Sequence, residues 1–229
     1  MTVSVRPRLN PRLVCRWVVA LWLVVAPRAW GQSFLSGGGA ISWPAGTSPY
    51  VGTQNPSVPS EGIHGVSAAG VAATGVFPWT HVGVAAELSV PRPFTAEQVA
   101  DKYRTHNTHR DVVISGLLHV RAARRPIDGV VGLSFVREQT KQQIAHRLFG
   151  VPGFAYEPYS APPESIVRST FGLAGGLDAP LRAGRHVSVV PQLRVHWIAR
   201  EDDSTAASPR LLGLSPILWQ PGISLRATF

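Results

Sequence analysis

The sequence predicts an all-β fold: an eight-stranded antiparallel up-and-down barrel that crosses a membrane. Three observations predict it. Six segments alternate apolar and polar residues with a period of two, the signature of a strand with two unlike faces, and two Gly- and Ala-rich segments bring the candidate strands to eight. The connections between them alternate between long and short. The polar faces are too poor in lysine to be solvated faces. The chain has 229 residues, a formal net charge of +9 and only 15% charged residues, below the ~25% usual in soluble domains.

The first 31 residues stand apart. Residues 1–16 are polar and basic, Trp17 to Ala26 form a ten-residue apolar run, and Pro27 ends it. Ala29 and Gly31 then supply small residues before Gln32. This is the three-part layout of a secretory signal peptide, and ten apolar residues are too few for a spanning helix. Cleavage would leave residues 32–229 as the mature domain. Cys15 would be lost with the leader, so the mature chain has no thiol. Five arginines of the net charge also lie in the leader. The remainder holds 17 basic and 13 acidic groups, a scattered +4. That excludes a nucleic-acid footprint, which needs clustered cations.

The strands follow in order. Segments 34–43 and 63–76 are rich in Gly and Ala, so they read as strands whose faces cannot be assigned. In 81–90, Val82, Val84, Ala86, Leu88 and Val90 oppose His81, Gly83, Glu87 and Ser89. In 111–122, Val112, Ile114, Leu118 and Val120 oppose Asp111, Ser115, His119 and Arg121. In 127–136, Ile127, Val131, Leu133 and Phe135 oppose Asp128, Gly132 and Ser134. In 166–179, Val167, Phe171, Leu173 and Leu177 oppose Arg168, Thr170, Gly172 and Asp178. Then Val187, Val189, Pro191, Leu193, Val195 and Trp197 oppose Ser188, Val190, Gln192, Arg194 and His196. The last segment alternates from Trp219 to Phe229.

Residues 44–62, 91–109, 138–165 and 201–217 read as long loops, and 77–80, 123–126 and 180–185 as short turns. That rhythm suits a barrel across a bacterial outer membrane, with both chain ends on the short-turn, periplasmic side. Lys102 and Lys141 are the only lysines, and both fall in predicted loops. Trp43, Phe135, Trp197 and Trp219 read as an aromatic belt at the long-loop end. Phe34, Phe77, Trp79 and Phe229 read as a second belt at the other end. A soluble sandwich would also alternate, but its outer face would carry more Lys and Glu.

On the leader, the loop rhythm and the ending Trp219-x-Pro221-x-Ile223-x-Leu225-x-Ala227-x-Phe229, the chain resembles the small eight-stranded outer-membrane barrels of Gram-negative bacteria, the OmpA transmembrane-domain and opacity-type group. The resemblance implies outer-membrane localisation. It also implies that Trp219, Ile223, Leu225, Ala227 and Phe229 form the C-terminal signal read by the barrel-assembly machinery. Pro221 departs from that pattern, and Pro191 inside a strand suggests a bulge or an edge-like position.

An eight-stranded barrel is just wide enough for its inner side chains. Inward charges must then pair across the lumen. Glu87, Arg121, Asp128, Arg168, Asp178, Arg194 and Arg226 are the expected network. Glu87 is expected to meet Arg194 or Arg168, and Asp178 to meet Arg226 or Arg121. Glu87, Arg168, Arg194 and His196 are placed in the long-loop half, the others in the periplasmic half. A gated ion path is the functional alternative to such a plug.

Other signals are weaker. His186-x-Ser188 resembles the His-x-Ser pair of lipid A deacylases, but it falls at the periplasmic end without a third member. Lys102, Arg104 and Arg110 in the second long loop could contact lipopolysaccharide phosphates. Phe94 to Tyr103 reads as one or two helical turns capped by Thr95. Glu201-Asp202-Asp203 and His106-x-x-His109 do not make a metal site by themselves, and no nucleotide fingerprint or other cofactor motif is present. The expectation is a non-enzymatic barrel for envelope integrity, surface recognition or adhesion, with at most a narrow pore. A lipid-modifying enzyme and a small-solute porin are its rivals.

Overall fold

Backbone groups inside a bilayer must all pair internally, so a spanning sheet has to close on itself. This one does. The computed structural model describes residues 32–44, 65–99, 103–123, 126–146, 148, 156–159, 164–200 and 215–229. The leader, Lys102 and the Glu201-Asp202-Asp203 run lie outside them.

Among the described residues ten strands occur in the order β1 (Gln32–Pro44), β2 (Ser67–Phe77), β3 (Val82–Pro91), β4 (Phe94–Val99), β5 (Tyr103–Arg121), β6 (Asp128–His146), β7 (Glu164–Asp178), β8 (Leu181–Arg182), β9 (Val187–Ile198) and β10 (Ile217–Thr228). All pairings are antiparallel, and β10 bonds both β9 and β1, which closes the ring β10-β1-β2-β3-β5-β6-β7-β9. The eight long strands are those of the predicted barrel. The short β4 pairs with β5 above the ring, and β8 extends β7 along β9.

The faces follow the alternation. Leu133, Phe171, Leu177 and Leu225 are more than half exposed on the outside, while Glu87, Asp128, Asp178 and Arg194 are buried inside. An apolar exterior around a polar interior inverts the arrangement of a soluble domain and matches a sheet solvated by lipid. The structure also supplies the faces of the first two strands: Phe34, Ser36, Ala40, Ser42, Ser67, Ala69, Val71 and Phe77 point inward.

Two expectations about the connections are corrected. β5 and β6 pair along 19 residues, from Arg121↔Asp128 to Tyr103↔His146, so 103–109 and 138–146, expected as loop, are strand. Lys141 lies on β6. Phe94–Val99 is not helical either. It pairs with β5, Phe94 opposite His109, because β5 continues past the barrel and offers an open edge. β4, β5, β6 and the start of β7 thus form a sheet that projects beyond the ring.

Pro191 and Pro221, the two prolines inside strands, each sit where a ladder lapses. The β7–β9 ladder ends at Asp178↔Gln192 and resumes with β8 at Leu181↔Val189, leaving Pro191 at the break. There Ala179 N donates to the Pro191 carbonyl at 2.9 Å. Pro221 faces β1 where pairing skips Ile41 and Ser42. A missing N–H is tolerated at such interruptions.

The two aromatic belts also need correction. Trp43, Phe135, Trp197 and Trp219 are exposed at the long-loop end, joined by Phe171, whose ring meets Phe135 edge-on at 5.6 Å. At the short-turn end only Trp79 and Phe229 face out. Phe34 and Phe77 are buried inside with ring centroids 5.8 Å apart. Glycines make the room: a Cβ at Gly75 would lie 2.5 Å from the Phe34 ring, and one at Gly83 would lie 2.6 Å from the Phe77 ring.

Candidate functional site

The lumen is built in layers, because each barrel strand sends every second side chain inward and the strands keep register. The layer nearest the short-turn end is charged. Arg194 on β9 donates from Nη2 to Glu87 on β3 at 2.9 Å and from Nη1 to Asp178 on β7 at 2.6 Å. Arg226 on β10 reaches the other oxygen of Asp178 at 2.5 Å and lies 3.6 Å from Asp128 on β6. Asp128 in turn accepts from Arg121 Nε on β5 at 3.1 Å. Three carboxylates and three guanidiniums therefore alternate in one chain across six strands. The two remaining strands supply rings. Arg226 stacks over Phe34 of β1 at 4.5 Å, and Arg121 over Phe77 of β2 at 4.3 Å. His119 stands edge-on to both rings and 3.8 Å from Asp178.

The second layer is neutral. Ser115 and Ser134 hydroxyls are 2.8 Å apart, Ser134 is 3.2 Å from His196 Nδ1, and His196 Nε2 is 3.2 Å from Gln220 Oε1. Gln220 Nε2 donates to Ser42 at 2.8 Å and to Ser89 at 3.0 Å. With the amide nitrogen committed to two hydroxyls, Gln220 Oε1 is the acceptor and His196 carries its proton on Nε2. Nδ1 then accepts from Ser134.

The third layer is apolar. Val113, Val136, Ile198 and Leu218 are in mutual contact and at most 1% exposed. They form an apolar plug contributed by β5, β6, β9 and β10, with the buried Ser89 of β3 opposite Val113.

The fourth layer closes the outer end. Arg200, just past β9, donates to Glu138 at 2.6 Å, to Asp111 at 2.8 Å and to the Ser215 carbonyl at 2.9 Å. His109 Nε2 lies 2.7 Å from Asp111, and its Nδ1 lies 2.9 Å from the Thr140 hydroxyl. One rung below, Arg137 faces outward opposite Val112, which marks the end of the lipid-facing band. This cluster therefore sits above the membrane-spanning segments. Burial pushes the Asp111 carboxyl upward, but His109 and Arg200 outweigh it and hold it well below the usual range. At Glu138 burial prevails over Arg200, and the carboxyl is raised.

Of the seven expected lumen charges, six meet in the first layer. The division into two halves does not hold, since Asp178 bonds both Arg194 and Arg226. Arg168 is elsewhere, on β7 opposite Glu138 in the projecting sheet, because β7 runs on past the barrel. His186 is exposed in the turn before β9, with Nδ1 3.2 Å from the Thr228 carbonyl. Trp219, Ile223 and Leu225 face outward on β10, with Ala227 partly exposed near its end and Phe229 exposed just past it. Arg104 lies 5.6 Å over the Tyr159 ring in the projecting sheet, and Arg110 is half-buried there. Among the described residues, no group of three His, Cys, Asp or Glu is placed to hold a metal ion.

Sequence reasoning missed Gln220 as the hub of the second layer, and Glu138 and Arg200 in the fourth. The inward phase of Gln220 was readable. Glu138 opened a segment that reads as loop, and Arg200 fell between the last strand residue assigned, Trp197, and the loop from 201.

No family model and no curated protein sequence matches the chain. Solved structures do. OprG, an outer-membrane protein from Pseudomonas aeruginosa, is 14% identical and covers 87% of this chain and 96% of its own, with a TM-score of 0.49. Ail, the attachment invasion locus protein of Yersinia pestis, seen in complex with the heparin analogue sucrose octasulfate, is 10% identical over 87% of this chain and 99% of its own, with a TM-score of 0.47. A major outer-membrane protein from Thermus thermophilus is 11% identical over 86% and 99%, with a TM-score of 0.46.

Proposed function

We propose that residues 32–229, released from a cleaved leader, form a non-enzymatic and non-conducting barrel in the outer membrane of a Gram-negative bacterium. Lipid and lipopolysaccharide surround it. Its four long connections face outward, and it serves envelope integrity, surface recognition or adhesion. Trp219, Ile223, Leu225, Ala227 and Phe229 would act as the signal for the barrel-assembly machinery. Lys102, Arg104 and Arg110 would face lipopolysaccharide phosphates.

The observation that carries this reading is the filled lumen. The six-membered charged layer is neutral overall, and a buried apolar cluster of Val113, Val136, Ile198 and Leu218 lies beyond it. An ion entering would have to displace paired guanidiniums and then pass a buried apolar cluster, which is costly. The sheet of β4, β5, β6 and β7 that projects beyond the aromatic belt supports a role at the cell surface.

Planar-bilayer recording on the purified, refolded protein tests the reading. Heat-modifiable gel mobility should report an inserted barrel, while the bilayer shows no unitary conductance. Steady open-channel steps would sink the non-conducting reading. Fractionation away from outer membranes would sink the localisation.

A further inference from the structure

The short-turn mouth of the barrel holds a cavity of about 220 Å³ whose lining includes Arg121, Arg182, Arg185 and Arg226 and no acidic residue. The hydroxyl-bearing Ser188 and Thr228 also line it. Two of the arginines are already balanced: Arg121 pairs with Asp128, and Arg226 with Asp178 and Asp128. The other two are not. Arg182 and Arg185 are exposed on the turn between β7 and β9, and neither forms an ion pair with a described residue. The mouth therefore carries surplus positive charge beside two ion-paired guanidiniums, the buried Arg226 and the partly exposed Arg121.

We propose that this cavity is a binding site for a phosphoryl group, with Arg182 and Arg185 as its primary ligands and the Ser188 hydroxyl as a supplementary donor. Guanidiniums bind phosphate oxygens through paired N–H groups, so arginine suits this chemistry better than lysine does. The volume is below the ~300 Å³ at which pockets for drug-sized ligands begin, and it suits a small anionic group. Two sources share that chemistry: a phospholipid headgroup from the leaflet on this side, and soluble phosphate. The headgroup source rests on the membrane reading above.

The test is calorimetric titration of the full mature chain, refolded in a neutral detergent, with inorganic phosphate and with glycerol phosphate, against chloride at matched ionic strength. Wild type should bind a phosphoryl probe saturably and chloride not at all. Arg182→Gln/Arg185→Gln should weaken that binding by about tenfold or more, with heat-modifiable mobility unchanged as evidence of an intact barrel. Tighter binding of glycerol phosphate supports the headgroup source, and equal binding supports free phosphate. Absence of saturable binding, or equal affinity in the variant, overturns the site. The barrel reading is untouched by either result, because gel mobility reports it separately.

Discussion

Arg194 and Glu87 are joined by a charge-assisted contact of 2.9 Å between strands β9 and β3, 107 residues apart in sequence and on different sides of the lumen. The same guanidinium also holds Asp178, so two buried carboxylates share it.

Removing it should be costly. Breaking a buried pair from one side leaves an uncompensated charge and typically costs about 3–5 kcal/mol. Arg194→Met should lower barrel stability by that order, read by equilibrium urea unfolding with tryptophan fluorescence. The double variant Glu87→Gln/Arg194→Met should lose less than the two single losses combined. Strict additivity would show that the two groups do not depend on each other.

The Gln220 hub fixes the proton on His196 Nε2. Nitrogen NMR of labelled protein should show His196 neutral, with Nδ1 unprotonated. Gln220→Leu leaves Ser42, Ser89 and His196 each short of a partner inside the lumen. At about 1–3 kcal/mol for an unsatisfied buried group, this variant should be among the most destabilised neutral substitutions. A Gln220→Leu protein as stable as wild type would argue against the network.

Gly83 should resist substitution because the Phe77 ring occupies its face. Gly83→Val forces the ring to move, an overpacking cost of about 1–3 kcal/mol. Combining it with Phe77→Ala removes the collision, so the double variant should be no less stable than Phe77→Ala alone. Thermal loss of heat-modifiable mobility measures both.

The outer cluster has a pH signature with two opposed parts. Asp111 is held below its unfolded value of 3.8, so its stabilisation is full above that value and lost as pH falls toward the folded one. Glu138 is raised above its unfolded value of 4.5, so its contribution is present below that value and lost as pH rises through the folded one. Stability should therefore gain slightly as Glu138 protonates on acidification, then fall below about pH 4. Asp111→Asn should abolish the acid fall and leave the earlier rise, and Glu138→Gln should do the converse. Unfolding curves taken across this range would separate them.

The barrel was legible because lipid and lumen impose opposite demands on adjacent residues. Where that contrast holds, as from Trp219 to Phe229, the inward and outward faces could be read directly. It fails in two ways. In 103–110 and 139–146 the strands leave the bilayer, both faces become polar, and the period-two signal disappears. In β1 the run Ser36-Gly37-Gly38-Gly39 erases the phase, so Phe34 reads equally as belt or plug. The charges of the first layer were visible as inward residues. Which carboxylate each guanidinium meets depends on strand stagger, and alternation alone does not carry it. Alternation offers Arg226 or Arg121 as the partner of Asp178, while the stagger brings Arg194 to it as well.

The order of the six charges also bears on how the chain assembles. Their donors and acceptors come from β3, β5, β6, β7, β9 and β10, and the rings they rest on come from β1 and β2. A sheet lacking β9 and β10 would hold Glu87 and Asp178 with neither of their arginines, and it would leave Arg121 as the only cation facing three acids. Such an intermediate carries an electrostatic debt that only the final strands discharge. The interior thus opposes any partly closed species and makes seam formation between β10 and β1 the step at which the fold first becomes self-consistent.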